Sequence, residues 1–403
     1  MQEQLKRVVQ ETVDQLAPEL LQVSRTLHAN PELAYQEHQA VALLTGLLEE
    51  KGFRVTRGVA GLATAFVATH EKGPGPTIAF LAEYDALPGL GHACGHNLIG
   101  AASLGAALAT VRLLGQVPGR VLLVGCPAEE KGGGKISLVE AGIFAEVDAA
   151  MLVHPSNRTE IVKRALGLRE VRVEFFGKPA HAAATPHLGI NALDAVIQSF
   201  NHINALRQHF PPHARVHGII THGGEAPNII PAYAAALFYV RALDLTSLET
   251  LYRRIVQCFH AAAEATGARV AIKEAGHLYQ PQRVNYALSG LFQANLERLG
   301  VAIDQRPEDD EMGSTDVGNV SQVVPTIQPM IGIAPPDVVC HMAAFAEAAG
   351  SPRGEGGMLL AAKAMAMTAV DLLADSGALA RVKADFVQGA RHTGVHGGPA
   401  SRP

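Results

Sequence analysis

The stretch TIAFLAEYDALPGLGHACGHNLIGAASLGAALATVRLL, residues 77–114, contains an apolar run, a glycine-rich turn and a long apolar helical pattern. Further runs of both kinds follow in GRVLLVGCPAEE (119–130), ISLVEAGIF (136–144) and VDAAMLVHP (147–155). Short strands that are apolar on both faces and alternate with helices are typical of a parallel sheet covered by helices on both faces. We therefore predict a mostly parallel α/β domain.

The sequence pattern changes near Arg164. Strand and helix patterns then follow in the order β-α-β-β-α-β, at 168–180, 191–208, 215–224, 234–244, 246–267 and 268–276. This order is typical of the split βαβ sandwich. Helical and parallel-strand patterns resume from residue 284. The chain is therefore predicted to form an α/β domain from 1–164 and 281–387, interrupted by an inserted domain at 165–280. We expect the Gly-, His- and Pro-rich tail 388–403 to be disordered.

The composition limits the classes of function. A chain of 403 residues with 48% hydrophobic and 18% charged residues suits two globular domains. Its net charge of -5 gives no basic surface for nucleic acid, so nucleic-acid binding is not expected. The N-terminus is charged and amphipathic, so we expect neither a signal sequence nor a membrane anchor there, and we identified no window near the roughly 20 apolar residues of a membrane span. Four cysteines without a CxxC pair favour a reducing, cytoplasmic setting.

The turn GHACGHN (91–97) places Cys94 and His96 two residues apart. Side chains at this spacing converge on one point from a turn or an extended segment, because i and i+2 diverge on a helix. Thiolate and imidazole suit zinc or another late divalent ion. The alternative is a loop that is cysteine- and histidine-rich by accident.

Glu129 and Glu130 follow directly after the apolar strand pattern LLVGC. The carboxyl ends of strands are where open α/β sheets place their sites. One carboxylate can hold a metal ion while its neighbour acts as a general base. The alternative is a solvated turn. A phosphate-binding loop is rejected, because Lys135 is followed by Ile136 and Glu129 stands where the first glycine is required.

Two further histidines could complete a metal site. His154 closes the apolar run DAAMLVH, and His341 follows VVPTIQPMIGIAPPDVVC in the resumed half of the chain. A single histidine is usually structural, but all these residues are predicted at one edge of one sheet. Five ligands shared by two ions require a bridge, which Glu130 and a water could provide. Cys340, beside His341, is interpreted as structural.

Five stretches together resemble the aminoacylase and carboxypeptidase family of dinuclear metalloamidases, and in particular its aminobenzoyl-glutamate hydrolase-like branch, which includes aminoacylase-1-like dipeptidases. The stretches are LAEYDALPGLGHACGHN (81–97), CPAEEKGGGK (126–135), KPAHAAATPHLGINALDA (178–195), PNIIPAYAAALFYVRA (227–242) and GSTDVGNVSQVVPTIQP (313–329). The resemblance covers nearly the whole chain in order. It implies a zinc-peptidase-like α/β domain interrupted by a ferredoxin-like lid domain that often dimerises, and hence a homodimer or higher homo-oligomer.

The resemblance also implies roles for individual residues. The metal ligands would be Cys94, His96, Glu130, His154 and His341. They would hold two divalent ions per subunit, zinc or manganese first, with cobalt or nickel as alternatives.

Other roles carried by the resemblance lie outside the ligand set. Glu129 would be the general base, and Asp85 would support the metal site unless it is only a turn or capping residue. His181 would reach an active site, commonly that of the partner subunit, to steady the oxyanion. Asn228 and Arg241 would grip the carboxylate or carbonyl of the substrate, or else be structural.

The implied activity is metal-dependent hydrolysis of an amide bond in a small N-acyl amino acid, dipeptide or aminobenzoyl-glutamate-like substrate. Asn97 after CGH, and Ala-Glu-Tyr-Asp in place of Arg-Ala-Asp-Met-Asp, depart from the related amidohydrolases. Both departures point to the aminobenzoyl-glutamate-like branch and away from simple N-acyl amino acids. Two rival hypotheses are an inactive metal-binding homologue that serves as a scaffold or ligand carrier, and a metal-free hydrolase with Cys94 as nucleophile.

Overall fold

The computed structural model of the protein describes residues 1–392, which form two compact units. The first unit consists of Met1–Arg164 and the described residues from Gln282 onward, and the second consists of Ala165–Pro281. Pro281 thus lies in the second unit, one residue beyond the boundary that we expected.

The secondary structure follows the sequence patterns closely. The α-helices of the described residues are α1 (Gln2–Ala29), α2 (His38–Glu50), α3 (His96–Val111), α4 (Gly134–Glu140), α5 (Ala192–Leu206), α6 (Leu245–Thr266), α7 (Tyr286–Arg298), α8 (Val317–Val323), α9 (Ala343–Ala349), α10 (Pro352–Ala374) and α11 (Ser376–His392). The strands are β1 (Arg54–Arg57), β2 (Phe66–Lys72), β3 (Thr77–Glu83), β4 (Gly119–Cys126), β5 (Ala149–Met151), β6 (His154–Ser156), β7 (Gly167–Phe176), β8 (Arg215–His222), β9 (Tyr233–Ala242), β10 (Arg269–Glu274), β11 (Thr326–Ile327) and β12 (Met330–Gly332).

The first unit is built on a six-stranded sheet in the order β1-β2-β4-β3-β5-β11. Strands β4, β3, β5 and β11 pair in parallel, whereas β1 and β2 add an antiparallel edge. Alternate residues of β3 point to opposite faces: Ile78 and Phe80 belong to the apolar cluster of α1, α3 and α10, and Ala79 and Leu81 to that of α4 and α8. The predicted mostly parallel sheet with helices on both faces is therefore confirmed.

The second unit is a four-stranded antiparallel sheet in the order β10-β7-β9-β8. Helices α5 and α6 share an apolar core with it that includes Val173, Phe238 and Phe259. The side chain of Asn191 caps α5 and that of Asp244 caps α6, so each helix begins where a polar side chain accepts its exposed N–H groups. The element order and strand order are those of a ferredoxin-like fold, as the resemblance implied.

Helix α10 corrects one expectation. Pro352–Ala374 is long and apolar enough to cross a membrane by length and composition alone, whereas we expected no such stretch in the sequence. Within the structure, 78% of its most apolar window is buried, and Met358, Met365 and Met367 pack in the main core of the first unit. A buried core helix accounts for this composition.

The expected disordered tail also begins differently. Helix α11 continues to His392, so residues 388–392, which we had placed in that tail, are helical. The remainder of the predicted tail, 393–403, lies outside the described residues.

Candidate metal centre

Several of the predicted site residues lie at the carboxyl ends of the parallel strands. Strand β3 ends at Glu83, with Asp85 two residues later, and strand β4 leads through Pro127 and Ala128 to Glu129 and Glu130. His154 follows β5 and opens β6. Because neighbouring parallel strands end at one edge of the sheet, residues that are distant in sequence meet there.

The turn before α3 delivers Cys94 and His96. Gly95 between them has a φ of 78°, in the left-handed region, and a Cβ at this position would lie 2.8 Å from the ring of Pro155. Both facts require glycine. His96 is the first residue of α3 and Cys94 stays in the turn, so the two side chains reach the same site, as the spacing predicted.

His96 is fully buried and its two ring nitrogens have different surroundings. Nδ1 lies 3.0 Å from Asp85 Oδ1. Nε2 has no hydrogen-bond partner, although it faces carboxylate oxygens of Glu83 at 3.5 Å, Glu130 at 3.9 Å and Glu129 at 4.0 Å. Burial alone would lower the pKa of His96, but Asp85 and its neighbours raise it well above the usual value. The surroundings of Nε2 therefore favour a positive charge.

Cys94 lies beside a second imidazole and a second thiol. Its Sγ is 3.4 Å from His154 Nε2, and the ligand atoms of Cys94, His154 and Cys340 all lie within 4.8 Å of one another. The hydrogen bond with Cys340 and burial raise the pKa of Cys94 well above its usual value. A cation that binds here must displace the thiol proton. The raised pKa also opposes a role for Cys94 as a metal-free nucleophile, which requires a thiolate.

His341 returns to this edge from the distant C-terminal half. Its backbone N–H donates to Ala93 O at 2.9 Å, and its own φ is 69°. Its Nε2 lies 3.3 Å from Glu130 Oε1. This backbone hydrogen bond holds His341 against the turn that carries Cys94. With the contacts of Cys94 and Glu130, all five predicted metal ligands are brought together.

The two adjacent glutamates have different environments. Burial raises the pKa of Glu129 well above its usual value, and the negative charges of Glu83 and Asp316 add to this effect. The pKa of Glu130 is lowered: burial would raise it, but the hydrogen bond from His341 and the charge of His96 outweigh burial. A carboxyl group that binds a proton readily suits acid–base work, and one that stays ionised suits ligation.

The donor set fits divalent ions. The atoms include thiol, imidazole and carboxylate groups, which are the ligands that zinc and related ions use. His96 Nε2 is buried among these atoms and has no hydrogen-bond partner, which is costly unless something else satisfies it. A cation between these atoms would do so.

Sequence reasoning missed four residues of this region. Glu83, Lys135 and Asp316 are completely buried, with Lys135 Nζ 2.6 Å from Glu83 Oε1 and 2.7 Å from Asp316 Oδ1. Glu37 Oε1 accepts the backbone N–H of Ala128 at 2.9 Å and so holds the turn that carries Glu129. Two of these residues had a signal in the sequence that could have identified them: Glu83 is an acidic residue at the end of an apolar strand, and Lys135 ends a run of glycines.

Asp85 lies where a supporting residue is needed. Besides its contact with His96, its Oδ2 accepts the backbone N–H of Glu130 at 3.0 Å. Two other residues of the motif have structural surroundings. His92 is buried, with Nε2 3.1 Å from Leu27 O, and burial lowers its pKa to about 3. Asn97 donates to Ser24 Oγ and Ala349 O.

The remaining predicted residues, His181, Asn228 and Arg241, belong to the second unit. His181 is exposed, and its Nδ1 accepts the backbone N–H groups of Ala183 and Ala184. The neutral ring therefore carries its proton on Nε2. His181 pairs with Ile229 in an isolated bridge, which brings it beside the exposed Asn228. Arg241 lies on β9, and its guanidinium lies over the ring of Tyr239. Their roles in substrate binding stay predictions.

Comparison with known proteins gives relatives along most of the chain. Residues 165–267 match the peptidase dimerisation domain of the M20 peptidases. The Xaa-Arg dipeptidase of Mus musculus is 41% identical, over 95% of this chain and 92% of its own, and that of Homo sapiens is 39% identical with the same coverage. One component of the p-aminobenzoyl-glutamate hydrolase of Escherichia coli is 31% identical, over 96% of this chain and 95% of its own.

Solved structures share the fold. An aminobenzoyl-glutamate utilization protein from Klebsiella pneumoniae superposes with a TM-score of 0.70 at 22% identity, over 90% of this chain and 97% of its own. A dinuclear metal-binding peptidase of the M20 family from Bacillus subtilis also has a TM-score of 0.70, at 21% identity, over 90% of this chain and 99% of its own. At these identities the likeness concerns the fold.

Proposed function

Because this chain belongs to the M20 family of metallopeptidases and is a metal-dependent hydrolase of amide bonds, we propose that it is a dipeptidase that acts on dipeptides ending in arginine. The single structural observation that supports the reaction is the buried, unpartnered His96 Nε2 among three carboxylates. The substrate proposal rests on the 41% and 39% identity to two Xaa-Arg dipeptidases. Aminobenzoyl-glutamate is the second candidate, at 31% identity to its hydrolase.

We propose that two divalent ions per subunit are held by Cys94, His96, Glu130, His154 and His341. Zinc and manganese are the first candidates, followed by cobalt and nickel, because a mixed sulfur, nitrogen and oxygen donor set accepts all four. When bound, the ions supply Lewis-acid polarisation of the amide carbonyl and activation of a water.

The residues around the ligands have separate tasks. Asp85 accepts from His96 Nδ1, which fixes the tautomer and leaves Nε2 as the ligand atom. Glu129 takes a proton from the attacking water and returns it to the leaving amine, a task that its raised pKa supports. Glu37 holds the turn before Glu129 through the N–H of Ala128, which keeps the base at a fixed position.

We propose that the second unit supplies substrate contacts and the dimer interface. His181 would stabilise the oxyanion through its Nε2–H, and Asn228 and Arg241 would bind the substrate carboxylate or carbonyl. The assembly would be a homodimer or a higher homo-oligomer. Its support is the match to a peptidase dimerisation domain and the edge strand β8, where Ile219 is 63% exposed. Sedimentation at several protein concentrations tests the dimer.

The reaction is tested by assay of the metal-loaded and the chelator-treated protein. The substrates are alanyl-arginine, alanyl-glutamate, aminobenzoyl-glutamate and N-acetyl-cysteine. The first two compare dipeptides with opposite charges on the C-terminal side chain, and the last two compare dipeptides with other acylated amino acids. We expect the highest kcat/KM on alanyl-arginine, loss of activity on chelation and recovery when metal is restored. Equal activity on alanyl-glutamate would contradict the arginine preference, and activity that survives chelation would contradict the metal requirement.

The rival hypotheses have weaker support. Relatives over nearly the full length are named as enzymes, which gives the inactive scaffold no support. A metal-free cysteine hydrolase would need a thiolate at Cys94, where the pKa is raised.

We retain a cytoplasmic location as a proposal, based on cysteines that all stand outside disulfide bonds.

A further inference from the structure

Glu83 lies in the stretch LAEYDALP, but neither the sequence motifs nor the proposed function assigns a role to it. It ends β3, is fully buried, and points Oε2 to within 3.5 Å of His96 Nε2. The ligand atoms of Glu83, His96 and His154 all lie within 4.8 Å of one another. Tetrahedral zinc with bonds of about 2.0–2.2 Å places its ligand atoms roughly 3.3–3.5 Å apart. The separation of Glu83 from His96 therefore matches that of two ligands on one ion.

The number of ligands gives a second reason. The five ligands of the proposed function serve two ions only if one of them bridges. His96 offers one nitrogen, since Nδ1 is engaged by Asp85. Glu83 would raise the set to six, or three for each ion, which is the number that catalytic zinc sites use when one position stays open.

The surroundings of Glu83 are those of an oriented ligand. Lys135 Nζ lies 2.6 Å from Oε1, so one carboxylate oxygen is held by a cation while Oε2 has no hydrogen-bond donor. Asp316 Oδ1 is 2.7 Å from the same ammonium group, and Oδ2 accepts the backbone N–H of Lys135 at 2.9 Å. Asp316 balances the charge of Lys135 and leaves the charge of Glu83 available. Carboxylates that bind metal are commonly held in this way.

We propose that Glu83 is a metal ligand, which shares one ion with His96 and His154, and that the second ion is held by Cys94, Glu130 and His341. Lys135 and Asp316 are positioning residues that orient Glu83. The inference rests on the proposed function, because it concerns the same metal centre. Glu130 is the residue that groups the second set: it is close to Cys94 and lies 3.3 Å from His341.

The test counts and titrates metal in three proteins. Wild type, Glu83→Gln and the control Asp371→Asn are stripped with a chelator, titrated with Zn²⁺ alone against a competing chromophoric chelator, and analysed for bound metal. Asp371 is the matched control because it is a buried acid paired with a buried lysine, Lys6, at 2.6 Å. Glu83→Gln does not leave the charge of Lys135 unpaired, because Asp316 remains as its counterion.

We expect two ions in wild type and in the control, and at least about a tenfold weaker affinity for one ion in Glu83→Gln. Two ions bound to Glu83→Gln with wild-type affinity would overturn this inference and leave the proposed function standing. A wild-type protein that binds no ion would overturn both.

Glu83→Asp covers the case in which the glutamine variant does not fold. It keeps the charge beside Lys135 and withdraws the carboxylate by one methylene. We expect a changed absorption spectrum of the Co²⁺-loaded protein and weaker binding of one ion. An unchanged spectrum and affinity would show that Glu83 only neutralises Lys135.

Discussion

Among the described residues of the first unit, two lysines, Lys6 and Lys135, are buried, and the clusters of polar side chains around them differ in how completely their atoms are paired. In one, Lys6 Nζ lies 2.6 Å from Asp371 Oδ1 and donates to Asn295 Oδ1 at 2.8 Å. The side-chain amide of Asn295 in turn donates to Asp371 Oδ2. In the other, Lys135 contacts Glu83 and Asp316. We call them the Lys6 cluster and the Lys135 cluster.

The Lys6 cluster is closed. Both oxygens of Asp371 accept hydrogen bonds, one from Gln2 and one from Asn295, and Asn295 also donates to Thr368. The Lys135 cluster is open, because Glu83 Oε2 has no donor and faces the equally unpartnered His96 Nε2. Unpaired buried polar atoms cost about 1–3 kcal/mol each. A closed cluster holds helices together, whereas an open one retains atoms for a ligand.

The largest effect on activity is expected at Glu129, whose pKa is raised by burial and by the charges of Glu83 and Asp316 in the Lys135 cluster. Glu129→Gln should lower kcat by about 10²–10⁴-fold, because it removes the proton acceptor. The bound metal should remain, since Glu129 is not among the proposed ligands. Glu130→Gln is the matched control, and it should lose metal as well as activity. A Glu129→Gln protein that keeps most of its activity would refute the assignment of the base.

Substitutions in the Lys6 cluster should change the free energy of unfolding and leave metal binding unchanged. Asp371→Asn breaks a buried ion pair and should lower the free energy of unfolding by about 3–5 kcal/mol, measured by urea denaturation. Its metal content should equal that of wild type. Lys6→Met/Asp371→Asn should recover much of the loss, because no unpaired charge remains buried. Metal loss in Asp371→Asn would show that the two clusters are not separate in function.

A smaller effect, on metal affinity, is expected at Asp316 in the Lys135 cluster. Asp316→Asn leaves the charge of Lys135 to cancel that of Glu83, and we expect about 10–100-fold weaker metal binding. Lys135→Met/Asp316→Asn removes a balanced pair and should restore much of the affinity. Titration with Zn²⁺ in competition with a chelator measures both. Equal affinities in the single and double variants would mean that charge balance has no part in binding.

The sequence was informative where local patterns carry the signal. Apolar runs of strand length at 77–83 and 119–126 predicted the parallel strands, and the β-α-β-β-α-β order predicted the second unit. Cys94, His96 and the Glu129–Glu130 pair were recognised as candidates because each lies in a short stretch of unusual chemistry. The helical pattern of α10 was predicted, but its membrane-like composition was not, and composition alone does not distinguish a long apolar helix in a protein core from one in a membrane.

By itself, the sequence determined the two folding patterns and the residue types at the edge of the sheet, because strand and helix periodicity and ligand chemistry are local properties. Only the tertiary structure decided which buried charges meet. Lys135 and Asp316 are 181 positions apart, and His341 reaches the Cys94 turn through a single backbone hydrogen bond. Such pairings depend on how the chain returns to the sheet, so Glu83 became a candidate ligand only once Lys135, Asp316 and His96 were seen around it.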